Sequence, residues 1–182
     1  MTNNSIGPFM KEKSIVTIAA AGLIIGCVLG VTGSFVSSAT VRSIAWALDS
    51  AAIILASSLL TLHYFKNGEE MTAAGFLNFA IAETVIFSSS ALDLNANIPS
   101  FGAGTFLWAI SLTVISLQKV FPVVVRCTGL IAAVLFIVVS FLIFTGHPIN
   151  ALTKPLPFYA YPFFALTLLG WAWALLKKGQ LT

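Results

Sequence analysis

At 182 residues the chain is 58% hydrophobic and only 8% charged, with a mean hydropathy of +0.99. Soluble domains carry about 25% charged residues, so this composition excludes a water-soluble globule. The net charge of +3 rests on a few basic residues flanking apolar blocks and calls for no nucleic-acid partner.

The apolar blocks run to about 20 residues, the length that crosses a hydrocarbon core of about 30 Å as a helix. The strands of an outer-membrane barrel would instead be about 10 residues of alternating polarity. An all-α, polytopic transmembrane bundle of six helices is therefore predicted, with spans at 14–36, 44–64, 72–92, 101–117, 123–144 and 159–176. The connections are too short for a soluble domain, so residues 1–182 form a single integral membrane domain whose first partner is the lipid bilayer.

The first span follows Lys11 and Lys13 and ends near Ser37-Ser38-Ala39, as a signal peptide would. Its apolar stretch exceeds an h-region of about 7–15 residues, so it is read as a retained helix. Within it, Gly22, Gly26, Gly30 and Ser34 recur at a spacing of four. Such a face lets another helix backbone approach closely, either inside the bundle or between protomers of a homo-oligomer. A narrow pore lining is the functional alternative. Cys27, in the same span, and Cys127, at the start of the fifth, fit neither a disulfide framework nor a zinc site.

The second span carries Asp49, and the third, FLNFAIAETVIFSSS, carries Glu83. Ionisable residues at membrane depth are costly and usually face the bundle interior, which makes both candidates for a buried proton or ligand site. Glu83 shares a helical face with Phe76, Phe79, Ala80, Ile86 and Phe87, and with Ser90 one step outward. Adjacent antiparallel helices would bring Asp49 and Glu83 within reach, directly or through a water. Asp49 also heads a polar arc with Ser50, Ser57 and Thr61, and His63 lies near it on the wheel. With Asp93 at the outer mouth, this predicts an acidic entry from outside and a Ser/Thr/His path inward. The structural reading of Glu83 is a carboxyl bonded to Asn78, Thr84 or a neighbouring helix, holding the bundle together.

After the fifth span, Thr145-Gly146-His147-Pro148 to Pro155-Leu156-Pro157 predicts an extended, ordered cap. His147 and His63 fall at opposite faces of the membrane, and no Cys, His or carboxylate cluster makes up a ligand set, so no metal or other cofactor is expected. Lys11, Lys13, Lys66, Lys119, Arg126, Lys177 and Lys178 collect on the side of the termini, against Arg42 and Lys154 on the other. Short basic loops stay in the cytoplasm, giving an N-in, C-in topology in a bacterial cytoplasmic (inner) membrane. Trp171 and Trp173 fit an inner aromatic belt, and Trp46, Tyr159 and Tyr161 an outer one.

Leu48-Asp49-Ser50, the hairpin Tyr64-Phe65-Lys66-Asn67-Gly68-Glu69-Glu70, Ala80–Glu83, Phe121-Pro122 to Gly129 and Tyr161-Pro162 form a pattern. It is similar to a bacterial family of small six-helix membrane proteins of unknown function. The resemblance implies six helices in a bacterial cytoplasmic membrane and no activity. Three functions stay open: a small proton- or cation-linked transporter or permeability protein using the buried carboxylates, an accessory or assembly subunit without a site, and an intramembrane lipid or isoprenoid enzyme with Glu83 as general acid. No metal-binding or nucleophile motif supports the enzyme, so a non-enzymatic role is the favoured expectation.

Overall fold

The computed structural model describes residues 12–90 and 96–179, except for the side chains of 89, 90, 178 and 179. Six helices account for nearly all of it: α1 (Glu12–Phe35), α2 (Ala39–Lys66), α3 (Glu70–Ser90), α4 (Ile98–Leu117), α5 (Val123–Phe144) and α6 (Tyr161–Gly179). No strand occurs among the described residues. Five of the helices, α1 to α5, are long and apolar enough to cross a membrane. The sixth, of 19 residues with Lys177 in its last turn, is not among those five.

The predicted span over 123–144 coincides with α5, whereas α2 begins five residues before the predicted 44. Its first turn holds Thr40, Arg42 and Ser43, so hydropathy alone misses it. Ser38 starts the helix there, its hydroxyl accepting the Val41 amide at 3.4 Å. Likewise α4 begins at Ile98, with Pro99 in the first turn where a missing N–H costs nothing.

Each helix packs on the next in the chain, and α6 packs back on α1, closing a ring of six. Neighbours run antiparallel. Gly22 of α1 meets Ala52 and Ala56 of α2, while Gly33 at the far end of α1 meets Trp46. Along α4, Gly104 faces Ile86 and Trp108 faces Glu83, both of α3.

A ring of six helices has an interior that backbones cannot fill, and here large aromatic side chains fill its middle. Tyr64 stacks on Phe76 at 5.5 Å between centroids, and Phe76 meets Trp171 at 5.0 Å. The contacts continue through Phe79 and Phe164 to Trp108 and Phe136. Trp171, Phe76, Phe79 and Phe136 are almost wholly buried. The ring's outside is the reverse of a soluble protein's: Ile25, Val28, Leu55, Leu77, Ile81, Val134, Phe141 and Leu166 are all exposed on it. Exposed apolar side chains on this scale mark a surface that contacts a membrane or another protein. Together with five helices long and apolar enough to cross a bilayer, this exterior suggests a multi-pass membrane protein.

Several expectations change. The glycine face of α1 is covered by α2 of the same chain, so the close approach is made inside the bundle. Gly22 lies against Ala52 and Ala56, Gly26 against Ile53, and Gly30 against Asp49. Ser34 turns its hydroxyl back to the Gly30 carbonyl at 3.1 Å, and Gly33 rather than Ser34 continues the packed face, under Trp46. Trp171 does not join an inner belt, because α6 turns it into the ring to fill the centre. Trp173, 54% exposed and beneath Lys177, does sit on the outside. Trp46 and Tyr161 also turn inward, while Tyr159 stays exposed. The 145–160 segment is ordered but coiled into turns rather than extended, with Asn150 and Thr153 bonding each other's backbone and side chains.

Candidate functional site

Asp49 lies about 15 Å from the Ala39 end of α2, at about 1.5 Å per residue. Glu83 lies about 10–11 Å from the Ser90 end of α3 by the same measure. These are the ends on the side of the 145–160 segment, so the two acids sit at similar depth and α2 packs beside α3. Ser50, not Asp49, makes the direct link: its hydroxyl donates to Glu83 Oε1 at 2.6 Å. The indole of Trp108 donates to Glu83 Oε2 at 3.0 Å. One carboxyl therefore ties α2, α3 and α4 together, and Glu83 is only 1% exposed.

Both acids line one cavity inside the ring, bordered by α1, α2, α3, α4 and α6 and roofed by the 145–160 segment at Ala151. The space open to the centre of a water molecule is about 90 Å³. Its wall is otherwise largely apolar, with Trp46, Phe101, Trp108, Tyr161 and Phe164 from three helices. Tyr161 donates its hydroxyl to the Ala151 carbonyl at 2.9 Å, pinning the roof to α6. Trp46 reaches across to the Gly30 carbonyl at 3.3 Å. Asp49 packs against the glycines of α1, which leave room for its carboxyl; its Oδ1 is buried and has no hydrogen-bond partner. Among the described residues no Lys, Arg or His borders the cavity.

Cys27 also borders this cavity, and its thiol lies 3.8 Å from the Ala165 carbonyl. The sequence marks neither Cys27 nor Trp46, Trp108 and Tyr161 as site residues. A polar-tipped aromatic in an apolar run gives the sequence no sign of whether it faces lipid or the ring's interior.

The other predicted site residues do not join the acids. Asn78 donates to the Leu107 carbonyl at 3.0 Å and to Ser111 Oγ at 2.6 Å, both on α4. Five residues before Glu83, it stands about 140° away around the helix. Thr84 bonds the Ala80 carbonyl instead of Glu83, and Phe87 is 39% exposed, so it does not wall the acid in. Ser57 shares the buried face of Ser50 but lies about 10 Å further along α2. It is fully buried with no partner for its hydroxyl, and Thr61 bonds its carbonyl. His63 lies at the opposite end of the ring, 3.5 Å from Glu12, beside a wider vestibule of about 850 Å³ that Tyr64 also borders. The aromatic cluster separates this vestibule from the acid cavity. Asp93 of the predicted path, and Ser90 of the face predicted for Glu83, lie outside the residues whose side chains are described.

Among the described residues no three His, Cys, Asp or Glu side chains converge on a point. The chain matches no protein-family model, no curated protein and no solved structure, so its site is read from geometry alone.

Proposed function

We propose that this chain is a small proton- or cation-linked transporter, and that the cavity shared by Asp49 and Glu83 is its binding site. The observation that carries this reading is the wall: two carboxyls inside a ring of membrane helices, with no basic side chain among the described residues to balance them. A charge at such depth is expensive, and intramembrane acids of this kind mark proton and ion pathways. The cavity at one end, the vestibule at the other and an aromatic block between them suit a site reached from one side at a time.

In this reading the ring crosses the cytoplasmic membrane six times with both termini inside. The described basic residues Lys13, Lys66, Lys119, Arg126 and Lys177 lie at the end of the termini, and Arg42 and Lys154 at the other. That bias supports an acid cavity facing the outside. In a background with Cys27 and Cys127 replaced by serine, single cysteines at 67, 120 and 180 should resist an impermeant maleimide in intact cells. Cysteines at 96 and 150 should react. Labelling at 180 from outside would overturn the threading.

The transport reading is tested by reconstituting the purified chain into liposomes and imposing a pH gradient. Dissipation well above that of protein-free liposomes is expected. Rates equal to the empty control under both proton and cation gradients would favour the second reading, an accessory subunit. That reading has its own support: the bonds from Ser50 and Trp108 to Glu83 join three helices, as a purely structural acid would.

A further inference from the structure

We infer that the cavity between α1, α2, α3, α4 and α6 binds a small organic ammonium ion. The inference rests on the reading of this cavity as a binding site and names the chemistry of what it takes. It stands on the whole lining rather than on the two acids.

Consider what each ligand class would meet. An anion would face Asp49 and Glu83 with no Lys, Arg or His among the described lining residues to receive it. A bare metal ion needs about six oxygens to replace its water, whereas most of this wall is aromatic and aliphatic. A neutral apolar molecule would fit the rings but would leave Asp49 Oδ1 buried without a donor. An alkylammonium ion answers all three features. Its N–H groups supply the donor that Asp49 Oδ1 lacks, its charge is balanced by the carboxyls, and its alkyl part lies on the rings.

The aromatic side chains strengthen the choice. Trp46, Phe101, Trp108, Tyr161 and Phe164 all border the same space. A desolvated cation within about 6 Å of such ring faces is attracted by their quadrupoles, most strongly by tryptophan. Arg42, on the helix that carries Asp49, does not compete for the acids. Its guanidinium donates to the Val36 carbonyl at 3.3 Å and lies 5.8 Å from the Trp46 ring centre, outside the lining. The cavity's size sets the limit: about 90 Å³ for water centres holds several waters or a cation of a few carbons, not a drug-sized amine.

The test titrates isopropylammonium chloride into the detergent-solubilised protein and follows tryptophan fluorescence, since Trp46 and Trp108 border the site. Isopropanol, of the same heavy-atom count, and sodium chloride at matched ionic strength are the controls. A saturable change with the ammonium ion alone is expected, with affinity weakened about tenfold or more in Asp49→Asn and in Glu83→Gln, the loss of one charged contact. Each variant is first shown by thermal melting to be folded. An equal response to isopropanol, or no saturable response to the ammonium ion, overturns the inference. The liposome assay, run free of amines, reads the transport reading separately. Flux without ammonium binding removes this cargo and leaves transport, whereas binding without flux keeps the site and removes transport.

Discussion

Glu83→Gln is expected to leave the ring folded while abolishing proton-linked flux, and Glu83→Leu is expected to damage both. The difference follows from the two bonds at the carboxyl. Trp108 can only donate, so it needs an oxygen at the position of Oε2. Ser50 can donate or accept by rotating its hydroxyl. Glutamine satisfies both if its oxygen faces Trp108 and its amide faces Ser50. Stability should therefore change by less than about 1 kcal/mol, the scale of one net hydrogen bond. Leucine leaves the buried Trp108 N–H without an acceptor, at a cost of about 1–3 kcal/mol. Ser50 escapes that cost by turning to a carbonyl of its own helix. Thermal melting in detergent measures the stabilities, and liposome flux measures the activity. The carboxyl band in infrared spectra, recorded against pH for wild type and Glu83→Gln, shows whether Glu83 changes charge in the working range. A folded Glu83→Gln variant that retains full flux would leave Glu83 as a structural tie and remove it from any proton path.

The contrast between Glu83 and Asn78 shows what a sequence of this kind reveals. The helices are legible because long apolar blocks mark them, and α5, the most uniformly apolar, has the same bounds as the apolar block 123–144. Polar turns at helix starts, as in α2 and α4, are lost because hydropathy does not see capping or N-terminal proline. Glu83 stands out because charge at depth is rare, and Asp49 for the same reason. Their partners do not, because a helical wheel fixes angles within one helix and not which neighbour each face meets. Asn78 looks close in sequence and bonds α4 instead. Trp108, on another helix and with no sequence link to Glu83, holds it. The closure of α6 on α1 is equally hidden, and with it the reason for the turned-in aromatics: the ring has a centre to fill. The acids' shared cavity follows from that closure, since an open arc of helices would expose Asp49 and Glu83 to lipid.

Bulk on the glycine face of α1 is expected to destabilise the ring, most of all at Gly22. A Cβ at Gly22 would stand 2.9 Å from the Ala52 carbonyl oxygen and 3.0 Å from the Ala56 Cβ. Neither atom belongs to a flexible side chain, so α1 and α2 must move apart as whole helices. At Gly26 the nearest atoms are the side chain of Ile53 and, at 3.1 Å, Asp49 Oδ1. Ile53 can shift its rotamer, but that shift pushes into the acid cavity that it also borders. Overpacking of this kind costs about 1–3 kcal/mol, and Gly22→Leu should fall at or above the upper end. Gly26→Leu should cost less stability but impair flux or ligand binding, because the added side chain displaces Asp49. Ile25→Leu is the control. Ile25 is 51% exposed on the outer face of the same helix, and the exchange conserves volume and should be silent. Thermal melting of the three variants in one detergent, with size-exclusion chromatography to follow assembly, reads the order. Gly22→Leu melting with the wild type would mean that α1 does not lie against α2, and the ring would lose the seam that encloses Asp49.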